Sequence, residues 1–225
     1  MFFSARTMDR LLAGTAICSI LGLVPACTIV RHGTGGSAEE SSAQKAAANE
    51  DFDAKAYVKT NWATKVEPEM AANAVDLKEI LAALKKDPEA AQKKYGRRKD
   101  ETAVFNFLVK GTETIKSVNT GSAAGVLELD LANPSGGGGV KLQIGPVIKS
   151  SAIRDGLEFI HFGDFTNQLD FANISKELNF YVRDDVVSGI KWTGLAGKRV
   201  AFVGAFAEDP TGAVLITPVK ISVVP

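Results

Sequence analysis

In the stretch IGPVIKSSAIRDGLEFIHFGDFTNQ, residues 144–168, Arg154, Asp155, His161, Asp164, Asn167 and Gln168 stand among Ile, Val, Leu and Phe. Guanidinium, carboxylate and carboxamide are planar, forked hydrogen-bonding groups. Sugar-binding surfaces combine such groups with aromatic rings, and Phe159, Phe162, Phe165 and Phe171 lie close by in the chain. The competing reading is a polar network that locks this segment onto its fold, because buried polar groups need partners whatever the function. The network reading is preferred. It expects Arg154 to be at least partly buried and held by Asp155 or Asp164. A ligand site, if the chain has one, falls in this segment.

Other chemistry is weakly supported. Asp155 and Asp164 could act as paired carboxylates in glycoside cleavage if an open cleft holds them about 5–10 Å apart. His161 has the side chain best suited to acid–base work near neutral pH, but Ile160 and Phe162 flank it, so a packed, hydrogen-bonded structural histidine is expected. No second histidine sits at a metal-ligand spacing, and no metal site is expected. Ser150, Ser151 and Ser175 lack the glycine-flanked context of a nucleophile elbow. The glycines at 136–139 precede a strand and lack the Lys-Ser/Thr of a phosphate loop, so they read as a hairpin turn.

The elements that would position these residues can be read from periodicity. In 51–99, Val58, Trp62 and Val66 follow a helical spacing that Pro68 is expected to close. Asp76 and Glu79 begin a second helix carrying Leu77, Ile80, Leu81 and Leu84. Asp87 and Pro88 begin a third, which Gly96 ends. Lys85, Lys86, Lys93, Lys94, Arg97 and Arg98 cluster near these helix ends, where cations favour the helix dipole. Contact with anionic lipid is the alternative reading of that cluster.

From 103 the period becomes two. VFNFLVKGTETIKSV, GVLELDLA and VKLQIG read as three strands, with Gly111 as a candidate bend in the first. GKRVAFVGAFAE and AVLITPVKISVV read as two more, joined by the turn DPTG, with Pro218 marking an edge or bulge. Between the third and fourth strands, Leu169, Ala172, Leu178, Val182 and Val186 recur at roughly helical spacing. This order gives an α+β fold: a small five-stranded OB-like β-barrel over 100–225 with a helical insertion around 150–188, preceded by the helical region.

The N-terminus speaks of location. MFFSARTMDR is a short basic region and LLAGTAICSILGLV (11–24) an apolar run of 14 residues, the layout of a secretory signal peptide. Val24-Pro25-Ala26-Cys27 follows, similar to a bacterial lipobox, so residues 1–26 are expected to be removed and Cys27 acylated. Pro25 departs from the small or hydroxyl residue usual there. Residues 27–50, rich in Gly, Ser, Ala and Glu, read as a lipidated flexible tether, about 25 Å r.m.s. across. The mature chain would then contain no free thiol, hence no disulfide framework and no cysteine nucleophile. Basic and acidic residues balance at 26 each. Arg6, Arg10 and Asp9 fall within the first 26 residues, leaving 24 basic and 25 acidic, a balance that gives no electrostatic reason to expect nucleic acid.

Several longer stretches together resemble a known family: ACTIV at 26–30, ILAALKKDPEAAQKKYGRR at 80–98, LQIGPVIKSSAIRDGLEFIHFGDFTNQLDFANISKELN at 142–179, LAGKRVAFVGAF at 195–206 and ITPVKI at 216–221. The chain resembles the predicted periplasmic lipoproteins grouped as domain-of-unknown-function family 2291. That resemblance implies a companion of sugar ABC-transport systems. The expectation is therefore a non-enzymatic periplasmic lipoprotein without a cofactor, held to a membrane through Cys27. It would bind or dock in support of a sugar ABC transporter or its binding protein. The alternatives are a carbohydrate-active hydrolase using Asp155 and Asp164, and an envelope adaptor without a small-molecule site.

Overall fold

A computed structural model describes residues 52–224, which fall in one compact unit. The expected signal peptide, Cys27 and the whole of the expected tether lie outside the described residues.

Five strands close a barrel: β3 (Asn106–Asn119), β4 (Val126–Leu129), β5 (Val140–Gln143), β6 (Arg199–Ala207) and β7 (Val214–Val224). They run in the order β3-β4-β5-β7-β6, and β6 pairs back onto β3. The β5–β7 pairing is parallel and the others in this ring are antiparallel. Alternation fixes which side chains point inward. Leu127, Leu129, Val140, Leu142 and Ile216 are buried, as the period-two pattern requires. The β4–β5 turn lies against the β6–β7 turn. There Asn133 Nδ2 donates to the Gly212 carbonyl at 2.8 Å, and a Cβ on Gly137 would stand 2.1 Å from the Gly212 backbone. The glycine run thus permits a close backbone approach.

The helical region belongs to the same core as the barrel. Helices α1 (Ala54–Asn61) and α2 (Glu67–Asn73) are joined by a π turn, Trp62–Val66. Pro68 does not close this helix as the sequence leads one to expect; the helical backbone continues to Asn73. A proline crowds the carbonyl four residues back, and here the preceding turn is widened, with the Glu67 amide bonding the Trp62 carbonyl five residues earlier. Helices α3 (Leu77–Lys86) and α4 (Pro88–Tyr95) start where expected, at Asp76 and Asp87, whose carboxylates accept from the amides of Lys78 and Ala90. Two short strands, β1 (Val75–Asp76) and β2 (Gly96–Arg97), pair with the first half of β3 on the edge that β4 leaves uncovered. An open edge there would be a template for aggregation.

Gly111 does not bend β3. It pairs in register with Phe202, whose ring leaves only 3.1 Å to where a Cβ would stand. The irregularity falls between Ile115 and Ser117, where β3 passes to its pairing with β4. Pro218 does mark a register shift, between Val203 and Gly204 of the partner strand.

The insertion contains α5 (Ala152–Gly156), a 3-10 turn (Phe162–Asp164), α6 (Gln168–Tyr181) and a π turn (Val182–Val187). The apolar stripe expected to face the core is only half right. Ile174, Leu178 and Val182 are buried, whereas Leu169 is 69 % exposed, Ala172 is exposed and Val186 is only partly buried. Packing against α1 selects the inner stripe, and Tyr181 stacks on Trp62 with ring centroids 4.1 Å apart.

Candidate functional site

The start of the central segment is tied down by side-chain bonds. Gln143 at the end of β5 donates to Thr217 Oγ1 at 2.7 Å and accepts from the Lys149 amide. The Ser150 carbonyl accepts from Ser175 Oγ and Asn179 Nδ2, and Ser150 Oγ accepts from the Ala152 amide at the start of α5. Ser150 and Ser175 are thereby committed to structure.

Within α5, Ala152, Ile153 and Gly156 face the core, and Gly156 lies so close to Leu108 that a Cβ would stand 2.6 Å from its methyl carbon. Arg154 turns sideways. Its Nε and Nη2 reach the two oxygens of Asp155 at 2.7 and 3.1 Å, Nη1 donates to the Phe171 carbonyl at 3.3 Å, and the guanidinium lies 4.0 Å from the Phe171 ring centre. The Arg154 and Asp155 side chains are 14 % and 13 % exposed. This is the partly buried, carboxylate-held arginine that the sequence leads one to expect.

The turn after α5 is held by residues the sequence reading did not single out for chemistry. Lys99 Nζ donates to the carbonyls of Leu157 and Ile160. Its burial lowers the lysine's pKa, an effect that the nearby charges of Asp155 and Glu69 oppose. Arg97 Nη1 reaches Glu69 and the Gly156 carbonyl, each at 3.1 Å, and Glu158 at 3.4 Å. Glu69 also accepts from the Glu158 amide at 2.6 Å. The sequence groups Arg97 with the basic helix ends, but it is an internal strut. The available signal was its place on a short strand after Gly96, where a side chain can point back into the fold.

Beyond residue 160 the character changes. His161, Asp164, Asn167 and Gln168 are all exposed. His161 was expected to be packed; instead it opens the 3-10 turn, and its amide donates to Asp164 Oδ2 at 3.1 Å. The imidazole is exposed even though apolar residues flank it in the chain. Asn167 caps α6, accepting from the Asp170 amide at 2.9 Å and donating to the Asp170 carboxylate at 3.0 Å. The rings nearby form a chain: Phe52 meets Phe165, Phe165 meets Phe171 and Phe171 meets Phe162, with centroids 5.2, 5.7 and 5.4 Å apart. Tyr57 joins at 5.8 Å from Phe165, and its hydroxyl pKa is raised, first by burial and then by the charge of Asp164.

The six residues therefore do not converge. Both Asp155 oxygens are taken by Arg154, and Asp164 braces a turn at the surface. Five clefts among the described residues measure about 220 to 520 Å³, and none of these five is lined by any of the six. No cluster of three or more His, Cys, Asp or Glu able to hold a metal occurs among the described residues.

Comparison with known proteins now places the molecule. The sequence model of the predicted periplasmic lipoprotein family DUF2291 matches residues 17–222. The chain belongs to this family. In structure the family member is similar to an OB-fold protein from Thermotoga maritima, solved as a crystal structure. The TM-score is 0.63 at 20 % sequence identity, covering 78 % of this chain and 100 % of that one. No curated protein matches the chain. Family membership implies association with a membrane, while among the described residues no helix is long and apolar enough to cross one.

Proposed function

We propose that this protein is a non-enzymatic accessory lipoprotein, acylated at Cys27 and released from residues 1–26, that docks in support of a sugar ABC-transport system. The observation that carries the docking reading is the commitment of Arg154, Asp155, Asp164 and Asn167 to the fold. The Arg154–Asp155 pair is closed upon itself and the Phe171 carbonyl. Asp164 and Asn167 serve a turn and a helix start. Glycoside cleavage needs two carboxylates facing one bond, and these two are engaged separately. A surface held rigid from within, on a tether of some two dozen residues, suits capture or positioning of another protein near a membrane. The sugar association rests on the family resemblance.

Two experiments test this reading. Deleting the protein from its host should slow uptake of at least one sugar in a labelled panel, with recovery on return of the wild-type chain and not of Cys27→Ala. Unchanged uptake across the panel would sink the transport role. Metabolic labelling with a fatty-acid analogue should mark the wild type and miss Cys27→Ala, and equal labelling would remove the anchor.

A further inference from the structure

Helix α6 has two apolar stripes, and the fold uses one of them. Leu169, Ala172, Lys176 and Phe180 follow one another at three- and four-residue steps, so they share a face. That face points outward: Leu169 is 69 % exposed, and Ala172 and Lys176 are exposed as well. Beside it runs a cleft of about 520 Å³ whose lining includes Val147, Lys149, Ala172, Lys176, Phe180 and Arg183. Val147 is 40 % exposed at its rim, and Phe162, just before α6, is 49 % exposed. The floor of the cleft is thus apolar and its edge cationic.

The charges are uneven. Arg183 lies over the Phe180 ring but is paired with Asp184 at 2.6 Å. Lys176 also lies over that ring, at 5.4 Å, and among the described residues neither Lys176 nor Lys149 has a carboxylate within 4.0 Å. On the side of α6 away from the cleft, Asp170 is engaged by Asn167. Asp164, on the turn before α6, is engaged by the His161 amide. Two free ammonium groups therefore border an apolar surface.

The route of the chain identifies what this face meets. The described residues begin at Phe52, which packs edge-on against Phe165, and two further ring contacts lead to Phe162. The described chain therefore begins beside the N-terminal end of α6, next to Phe165 and Phe171. We infer that the outer face of α6, with Phe162, Leu169, Lys149 and Lys176, rests on the lipid bilayer that holds the anchor. The two lysines meet anionic headgroups, while Phe162 and Leu169 enter the interfacial region. The inference rests on the anchoring reading above, because a tether fixed elsewhere would not bring this face to a membrane.

The test uses the lipidated protein in vesicles containing phosphatidylglycerol. With Cys27 acylated and no other cysteine in the mature chain, Phe162→Cys or Leu169→Cys takes a single environment-sensitive fluorophore. Both labels should shift to the blue and be quenched by lipids carrying shallow quenchers, while a label at Thr211→Cys, in the β6–β7 turn, should do neither. Lys149→Gln with Lys176→Gln should weaken the docked state about 25-fold, each lysine contributing about a factor of five near an anionic surface. Phosphatidylcholine vesicles should weaken it similarly. Protein that stays on the vesicles with labels 162 and 169 as solvated as 211 overturns the docking face. Protein that leaves the vesicles altogether overturns the anchor instead. Burial of label 162 in cells but not in vesicles assigns the face to a protein partner and also overturns the inference.

Discussion

The two halves of the segment 152–168 each set polar residues among apolar ones and meet opposite fates. In the first, Arg154 and Asp155 are mostly buried, and Arg97, Lys99 and Glu69 bind the backbone of the turn that follows. In the second, His161, Asp164, Asn167 and Gln168 stand in solvent and bond mainly to their near neighbours in the chain. Polar residues set among apolar ones do not by themselves mark a site or a core. Partners supplied by distant segments distinguish the turn after α5: the Lys99 contacts span 58 and 61 residues, whereas those of His161 and Asn167 span three.

The comparison is broken most directly at Arg154. Removing one partner of a buried ion pair leaves the other uncompensated, so Arg154→Ala should lose about 3 kcal/mol of stability, read as a lower midpoint in urea denaturation. Replacing both partners, Arg154→Met with Asp155→Leu, should recover most of that loss. A midpoint unchanged in Arg154→Ala would place the first half in the same class as the second.

Lys99 sharpens the comparison through pH. Its folded pKa lies below the ordinary lysine value of 10.5 because burial disfavours the charged form. Between the folded and unfolded values the unfolded chain holds more protons, so this group's contribution to stability rises with pH there. The stability difference between wild type and Lys99→Met should therefore grow in the wild type's favour as pH climbs toward 10.5. A flat difference across the alkaline range would mean that the ammonium is effectively solvated.

Smaller effects belong to the outer half. Asn167→Ala removes the side-chain cap of α6 and should cost about 1 kcal/mol, measurable in the same denaturation experiment. His161→Ala and Gln168→Ala should each change stability by about 0.5 kcal/mol or less. A larger loss in Gln168→Ala would reveal a partner for this exposed side chain.

Much of the architecture is legible without coordinates because local rules govern it. The strand alternation, the caps at Asp76 and Asp87, the DPTG turn and the shift at Pro218 depend on neighbours a few residues away. Asn167, taken from the sequence as a candidate ligand-binding residue, instead caps α6. His161 is misread because flanking apolar residues suggest burial, whereas at the start of the 3-10 turn its side chain stands in solvent. Pro68 and Gly111 mislead for a related reason. A widened π turn makes room for the proline, and the Phe202 ring from the neighbouring strand accounts for the glycine.

By itself, then, the sequence determines the five-stranded order with its inserted helix, because period, capping and turn chemistry are short-range properties of the chain. The tertiary structure alone decides which of the two apolar stripes of α6 is buried and which faces outward. Both satisfy the helical period, and only packing against α1 chooses Ile174 and Leu178 over Leu169 and Ala172. It also decides that Arg97 and Lys99 serve the turn after α5, since a charge finds a partner some 60 residues away only once the chain has folded back on itself.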